Sequence, residues 1–209
     1  MILVTGAAGK TGRAILKALQ AKGTPVRALV HRPEQVQVAA GLGAEEILVG
    51  DIRDLASMET ATRGVRAVYH ICPNMSPDEL AIGQVITGVA RAAGVEHFVF
   101  HSVLHPQTEG MPHHWQKLRV EELLFETGLS FTILQPAAYM QNLQAYWPRI
   151  VEEGVYAMPY AVETQLGMVD LQDVAAAAAV VLTEPDHAGA TYELAGGEAL
   201  TQREIAAIL

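Results

Sequence analysis

M-I-L-V-T-G-A-A-G-K-T-G-R-A-I-L-K-A-L, from Met1 to Leu19, is an apolar strand that turns through three glycines into an amphipathic helix. Ile2, Leu3 and Val4 read as a strand buried on both faces. Gly6 permits a tight turn off it, Gly9 lets the backbone approach a pyrophosphate, and Gly12 lets the helix sit close to the sheet. A diphosphate would lie at the helix N-terminus, where unpaired N–H groups and the dipole favour an anion. The expected cradle is Gly6, Ala8, Gly9, Lys10, Thr11 and Gly12. The simpler reading is an ordinary glycine-rich turn, but a strand before it and a helix after it favour the cradle. Gly9-Lys10-Thr11 also resembles a P-loop end. That motif requires a glycine where Val4 stands, so it is set aside.

Working outward, strands are expected at Val26 to Val30, Ile47 to Val49, Val65 to Ile71, Val95 to Phe100 and Phe131 to Leu134. Helices are expected at Pro33 to Ala40, Leu55 to Thr62, Pro77 to Ala93 and His114 to Glu126. Unbroken alternation of strand and helix predicts an α/β doubly wound parallel sheet. Beyond Pro136 the pattern loosens. It predicts a helix over Tyr139 to Val151, a short strand at 156–158, a helix from Val174 to Leu182 and a strand at Tyr192 to Leu194. Residues 1–136 are expected to form the dinucleotide-binding domain and 137–209 a smaller substrate-side region, with 156–158 and 174–182 able to pack back on the first. The last residues, Thr201 to Leu209, read as a capped helix start without a stop signal, so a C-terminal truncation is expected.

The 209 residues are 50% hydrophobic, enough for a substantial core. The net charge of −9 and the scattered 14 Lys and Arg offer no basic face for nucleic acid. The single cysteine, Cys72, cannot form an internal disulfide, in keeping with an expected cytoplasmic location. No apolar run is long enough for a membrane helix. Of eight histidines, none stands in a metal-binding spacing, and no metal is expected.

After the second strand of a dinucleotide-binding sheet, a carboxylate selects NAD and an arginine accommodates the extra phosphate of NADP. Here the residues are His31-Arg32, so Arg32 points to NADP(H), with NAD(H) still possible. The alternative for Arg32 is a solvated surface charge. Asp51, after the third strand, is placed to meet the adenine, or else to cap the next helix. Ile52, Cys72, Pro73 and Pro136 follow strand ends on the same edge.

Taken together, Thr5-Gly6-x-x-Gly9-x-x-Gly12, Arg32, Gly50-Asp51-x-x-Asp54, His101-Ser102-Val103, Lys117-x-x-x-Glu121, Phe131-Thr132-Ile133-Leu134-x-Pro136 and Tyr139-Met140-x-Asn142 resemble the NmrA-like branch of the atypical short-chain dehydrogenase/reductase superfamily. The resemblance implies a Rossmann domain with a small C-terminal subdomain and a nicotinamide facing the cleft between them. It also implies that Lys117 reaches cofactor or substrate. The chain departs from the wider superfamily where a Tyr is usual four residues before the lysine: His113 stands there. Ser102 occupies the place of the family's serine. His113 and Tyr139 are the alternative proton donors, against the simpler readings of a helix start and a pocket-lining aromatic.

The leading expectation is an NADP(H)-dependent reductase of a small carbonyl or quinone, with Lys117, His113, Tyr139 and Ser102 at the reacting end. The second is a non-catalytic NADP(H) redox sensor acting on a protein partner. An isomerase or lyase remains open. The expected state is a monomer or homodimer with a small-molecule substrate, without direct nucleic-acid or membrane contact.

Overall fold

The computed structural model describes residues 1–209. β1 (Ile2–Val4), β2 (Val26–Val30), β3 (Glu46–Val49), β4 (Ala67–His70), β5 (His97–His101), β6 (Phe131–Pro136) and β9 (Thr191–Leu194) form one parallel sheet in the order β3-β2-β1-β4-β5-β6-β9. β1 pairs with both β2 and β4, so the strand order reverses at that point. Ligands in such sheets bind at the carboxyl ends of the strands around this reversal.

Residue alternation along the strands supplies two cores. Ile2, Val4, Val99 and Leu134 face helices α1 (Lys10–Ala21) and α7 (Leu171–Thr183). Leu3, Phe98, Phe100 and Ile133 face α3 (Leu55–Thr62), α4 (Glu79–Ala92) and α5 (Pro112–Thr127). Every residue of β1 is buried, as its unbroken apolar run requires. The short α2 (Val36–Ala40) follows a 3-10 turn over Pro33–Gln35.

Residues after Pro136 contribute to the main sheet and to a second, smaller one. β9 extends the main sheet beside β6, and α7 packs its alanine face on the α1 core. β7 (Ala138–Tyr139), β8 (Gln165–Val169) and β10 (Ala199–Thr201) form a second, three-stranded sheet, followed by α8 (Gln202–Ile208).

Two expected elements take other forms. No strand forms at 156–158: Gly154 ends the preceding helix in the left-handed conformation at φ 65°, and Pro159 lacks the N–H that a ladder needs. Tyr156 instead donates its hydroxyl to Gln202 Oε1 at 3.0 Å. The single helix over Tyr139 to Val151 is replaced by β7, a 3-10 turn at Met140–Ala145 and α6 (Trp147–Glu153). Pro148 restarts the helix in its first turn, where proline is tolerated.

Candidate functional site

The turn between β1 and α1 is shaped for close approach. Gly6 has φ +59°, a conformation that strains any L side chain, and a Cβ on Gly12 would fall 2.3 Å from the Gly6 carbonyl oxygen, so Gly12 accepts no side chain without displacing backbone. Gly9 caps α1 with no side-chain hydrogen bond, and the first turn carries no acid. Asp54, Asp170 and Thr201 cap α3, α7 and α8 with side-chain oxygens, whereas α1, like α4 and α5, has no side-chain cap and is distinguished from those two by the glycine turn that precedes it. α1 therefore leaves its first N–H groups to a ligand, and an anionic diphosphate fits both the space and the dipole.

From this cradle a cleft of about 620 Å³ runs across the carboxyl ends of the strands, from β3 on one side to β6 on the other. Gly6, Ala8, Gly9, Lys10, Thr11 and Gly12 line its middle. Asp51 and Ile52 line it after β3, Cys72 and Pro73 after β4, Ser102 after β5, His113 and Lys117 on α5, and Pro136 and Tyr139 at β6 and β7. The parallel register thus brings together all the residues singled out from the sequence except one.

The exception is Arg32. It does not line the cleft; its guanidinium lies on an exposed edge, 3.7 Å from Glu34. His31, Gln35 and Arg53 line the cleft near it instead. Asp51 is not the cap of α3. It accepts from the Arg53 N–H at 2.9 Å, while Asp54 accepts from Ser57 and caps the helix.

At the opposite end, Lys117 Nζ donates to Glu79 Oε1 at 2.6 Å and to the His101 carbonyl at 3.2 Å. Glu79 is fully buried, and burial raises its carboxyl pKa while the Lys117 charge pulls it back down. An ammonium has three donors, so Lys117 retains one for a ligand in the cleft. Phe100 covers the ammonium, with its ring centroid 5.4 Å away. Beneath it lies buried His70, whose ring is bonded through Nδ1 to Thr5 Oγ1 at 3.1 Å.

Tyr139 Oη lies 2.6 Å from His101 Nε2 and accepts from Thr11 Oγ1 at 3.4 Å. His101 Nδ1 in turn lies 2.7 Å from the hydroxyl of the fully buried Tyr69. Burial lowers the His101 pKa to about 3 and raises that of Tyr139 to about 12, so both are neutral around pH 7. Lys10, from α1, bonds Asn142 Oδ1 beyond Tyr139 and bridges the two walls of the cleft.

Ser102 donates its hydroxyl to buried Glu121, which Gln135 also holds, at 3.0 Å. Its hydroxyl is thus committed to the protein interior. His113 sits in the first turn of α5, edge-to-face with His114 at 4.6 Å between ring centroids. Partial burial and the charges of His114 and Lys117 lower its pKa. Cys72 is buried, and burial followed by the Glu79 charge pushes its thiol up to about 12, which leaves it protonated and inert.

Sequence reasoning missed His101, Tyr69, Glu79 and Arg53. His101 closes a strand at the carboxyl edge beside Ser102, a position that carries a signal. Glu79 reads from sequence as a routine acid at a helix start. No group of His, Cys, Asp and Glu forms a metal site, and no helix is long and apolar enough to cross a membrane.

A model of the NmrA-like family matches residues 1–209. The chain is 31% identical over 211 residues to an NAD(P)H azoreductase of Xenophilus azovorans, covering all of this chain and 72% of that protein. Among solved structures, an NADPH-dependent quinone oxidoreductase of Escherichia coli complexed with NADPH superposes with TM-score 0.88 at 30% identity, over 99% of this chain and 73% of that one. A Citrobacter sp. triphenylmethane reductase complexed with NADP(H) superposes with TM-score 0.88 at 27% identity, over 100% and 74% of the two chains.

Proposed function

The chain belongs to the NmrA-like family, and from that premise we propose that it is an NADPH-dependent oxidoreductase that reduces a small carbonyl or quinone. One observation carries this reading: a single cleft joins the glycine cradle to Lys117, His101 and Tyr139. Relatives named as NAD(P)H azoreductase, (4-alkanoyl-5-oxo-2,5-dihydrofuran-3-yl)methyl phosphate reductase and quinone oxidoreductase support an NAD(P)H-dependent reduction.

The cradle residues Gly6 to Gly12 would hold the diphosphate, and Asp51 and Ile52 the adenosine side. Arg32 is held only by an exposed pair with Glu34, which costs little to break, so its guanidinium is available to a 2′-phosphate. When bound, reduced nicotinamide supplies hydride. Lys117 offers its remaining N–H to a ligand oxygen, and Glu79 fixes the direction of the ammonium. Leu29, Ile71 and Val103 supply apolar lining.

Two measurements test the proposal. Calorimetry should show NADPH uptake by the folded chain, and NADPH oxidation should exceed background with at least one member of a quinone and carbonyl panel. Uptake without turnover would replace this reading with the cofactor-sensing one. Absence of uptake would remove both.

A further inference from the structure

The buried triad Tyr69–His101–Tyr139 has too few acceptors for its protons unless one of them points into the cleft. A neutral imidazole has one N–H and one bare nitrogen. If Nδ1 carried the proton, it would donate to Tyr69, and the Tyr69 hydroxyl proton would then have no acceptor at a site with zero solvent exposure. A buried donor left without an acceptor is destabilising, so that tautomer is disfavoured. With the proton on Nε2 every buried donor is satisfied. Tyr69 donates to Nδ1, Nε2–H donates to Tyr139 Oη, and Thr11 Oγ1 donates to the same oxygen. The Tyr139 proton is then the one left over. Tyr139, His101 and Thr11 all line the cleft, so that proton faces a ligand.

We propose that Tyr139 is the proton donor of the reduction, and that His101, with its tautomer set by Tyr69, is the positioning residue that aims this proton into the cleft. The proposal rests on the reductase reading above. In the step, hydride from the reduced nicotinamide adds to the carbonyl carbon and the C–O π pair moves to oxygen. The Tyr139 O–H bond breaks as the new substrate O–H bond forms, leaving a phenolate. Two hydrogen bonds already directed at its oxygen, from His101 Nε2–H and Thr11, stabilise that phenolate. One proton taken up from bulk solvent and relayed by water in the open cleft restores the Tyr139 hydroxyl, so the net step consumes that proton and leaves the nicotinamide oxidised, while His101 and Tyr69 keep their protons. The arrangement supplies from β7 the phenol that α5 lacks at His113. Low basicity of the buried imidazole keeps it neutral and so able to hold this role.

The proton requirement separates two classes of acceptor. A carbonyl needs hydride and a proton, whereas a triarylmethane dye cation is neutralised by hydride alone. In Tyr139→Phe the ratio of carbonyl to dye kcat should fall by about 100-fold, within the range of general acid catalysis, with carbonyl KM little changed. Tyr69→Phe should lower the same ratio about tenfold through the lost tautomer lock. In D2O, wild-type carbonyl reduction should slow about twofold and dye reduction should not. A proportional fall with both acceptors, or no fall with either, would overturn the donor role. If the dye is not turned over, the solvent isotope effect and the kcat-against-KM split on the carbonyl decide. Nitrogen-15 NMR of histidine-labelled, cofactor-free protein tests His101 without any turnover. Nε2 should be protonated and Nδ1 bare in the wild type, with that preference weakened in Tyr69→Phe; a protonated Nδ1 in the wild type overturns the geometry. Wild-type protein that binds NADPH but reduces neither acceptor overturns the reductase reading and the donor role with it, while the NMR result still judges His101.

Discussion

Lys117 holds its ammonium 2.6 Å from a carboxylate oxygen of Glu79, a side chain with no solvent exposure whose second oxygen has no partner. The pair links α5 to α4 at the Lys117 end of the cleft. Removing one member leaves a buried charge uncompensated, which costs about 3–5 kcal/mol. Lys117→Met should therefore lower stability by that order at pH 8. The Glu79 pKa, already raised by burial, would rise further without the lysine. A carboxyl that binds its proton more tightly when folded is favourable below its unfolded pKa of about 4.5 and becomes a liability as pH climbs past it. The deficit should shrink on going from pH 8 toward pH 4.5, and urea unfolding at several pH values checks it. Lys117→Met with Glu79→Gln should recover most of the loss.

Acid should weaken the fold through two buried histidines. His70 and His101 have pKa values lowered from 6.5 to about 3, in both cases chiefly by burial and then by the Lys117 charge. Depressed histidine pKa values mean that the unfolded chain binds more protons between about pH 6.5 and 3. The stability they contribute is present above 6.5 and lost as pH falls through that window. Each contributes a slope of up to about 1.4 kcal/mol per pH unit. Replacing His101 by Gln should flatten the acid limb of a stability–pH curve by about one proton, and a curve of unchanged slope would contradict the assignment.

Gly12→Ala tests the cradle. The added methyl would meet the Gly6 carbonyl oxygen at 2.3 Å and Ala7 Cα at 2.7 Å, so α1 has to move off the turn. Overpacking of this kind costs about 1–3 kcal/mol. NADPH affinity should fall more than tenfold in a variant that remains folded, because the displaced N–H groups are the proposed diphosphate ligands. Calorimetry paired with thermal unfolding separates the two effects.

Arg32 and Arg53 compete for the role of phosphate ligand. Arg32→Ala should weaken NADPH binding by about tenfold, or ~1.4 kcal/mol, while leaving NADH affinity close to wild type. Should Arg53→Ala show that selectivity instead, the 2′-phosphate would lie beside Asp51, where Arg53 lines the cleft.

How much of this was legible beforehand differs from one residue to the next. Gly6, Gly9 and Gly12 could be read because a tight strand-to-helix turn constrains residue type over only a few positions. Lys117 could be placed in the cleft, but Glu79, 38 residues earlier, has no local feature that marks it as its partner. Ser102 follows β5 at the carboxyl edge, yet its hydroxyl is held by Glu121 from α5. The apolar residues at 156–158 resembled a strand because periodicity reports a local pattern and not whether a neighbouring strand is within reach.

Hydrophobic alternation and glycine backbone freedom act within a few residues of each other, so the parallel α/β architecture and the glycine turn can be read directly from the order of residues. Which polar groups meet depends instead on the folded arrangement of distant segments. Tyr69, His101 and Tyr139 lie on three separate strands, and their hydrogen bonds exist because the register of β4 and β5 and the crossing from β6 into β7 set their separations to within a fraction of an ångström. Directional bonds between buried donors depend on that spacing, which no short-range pattern encodes.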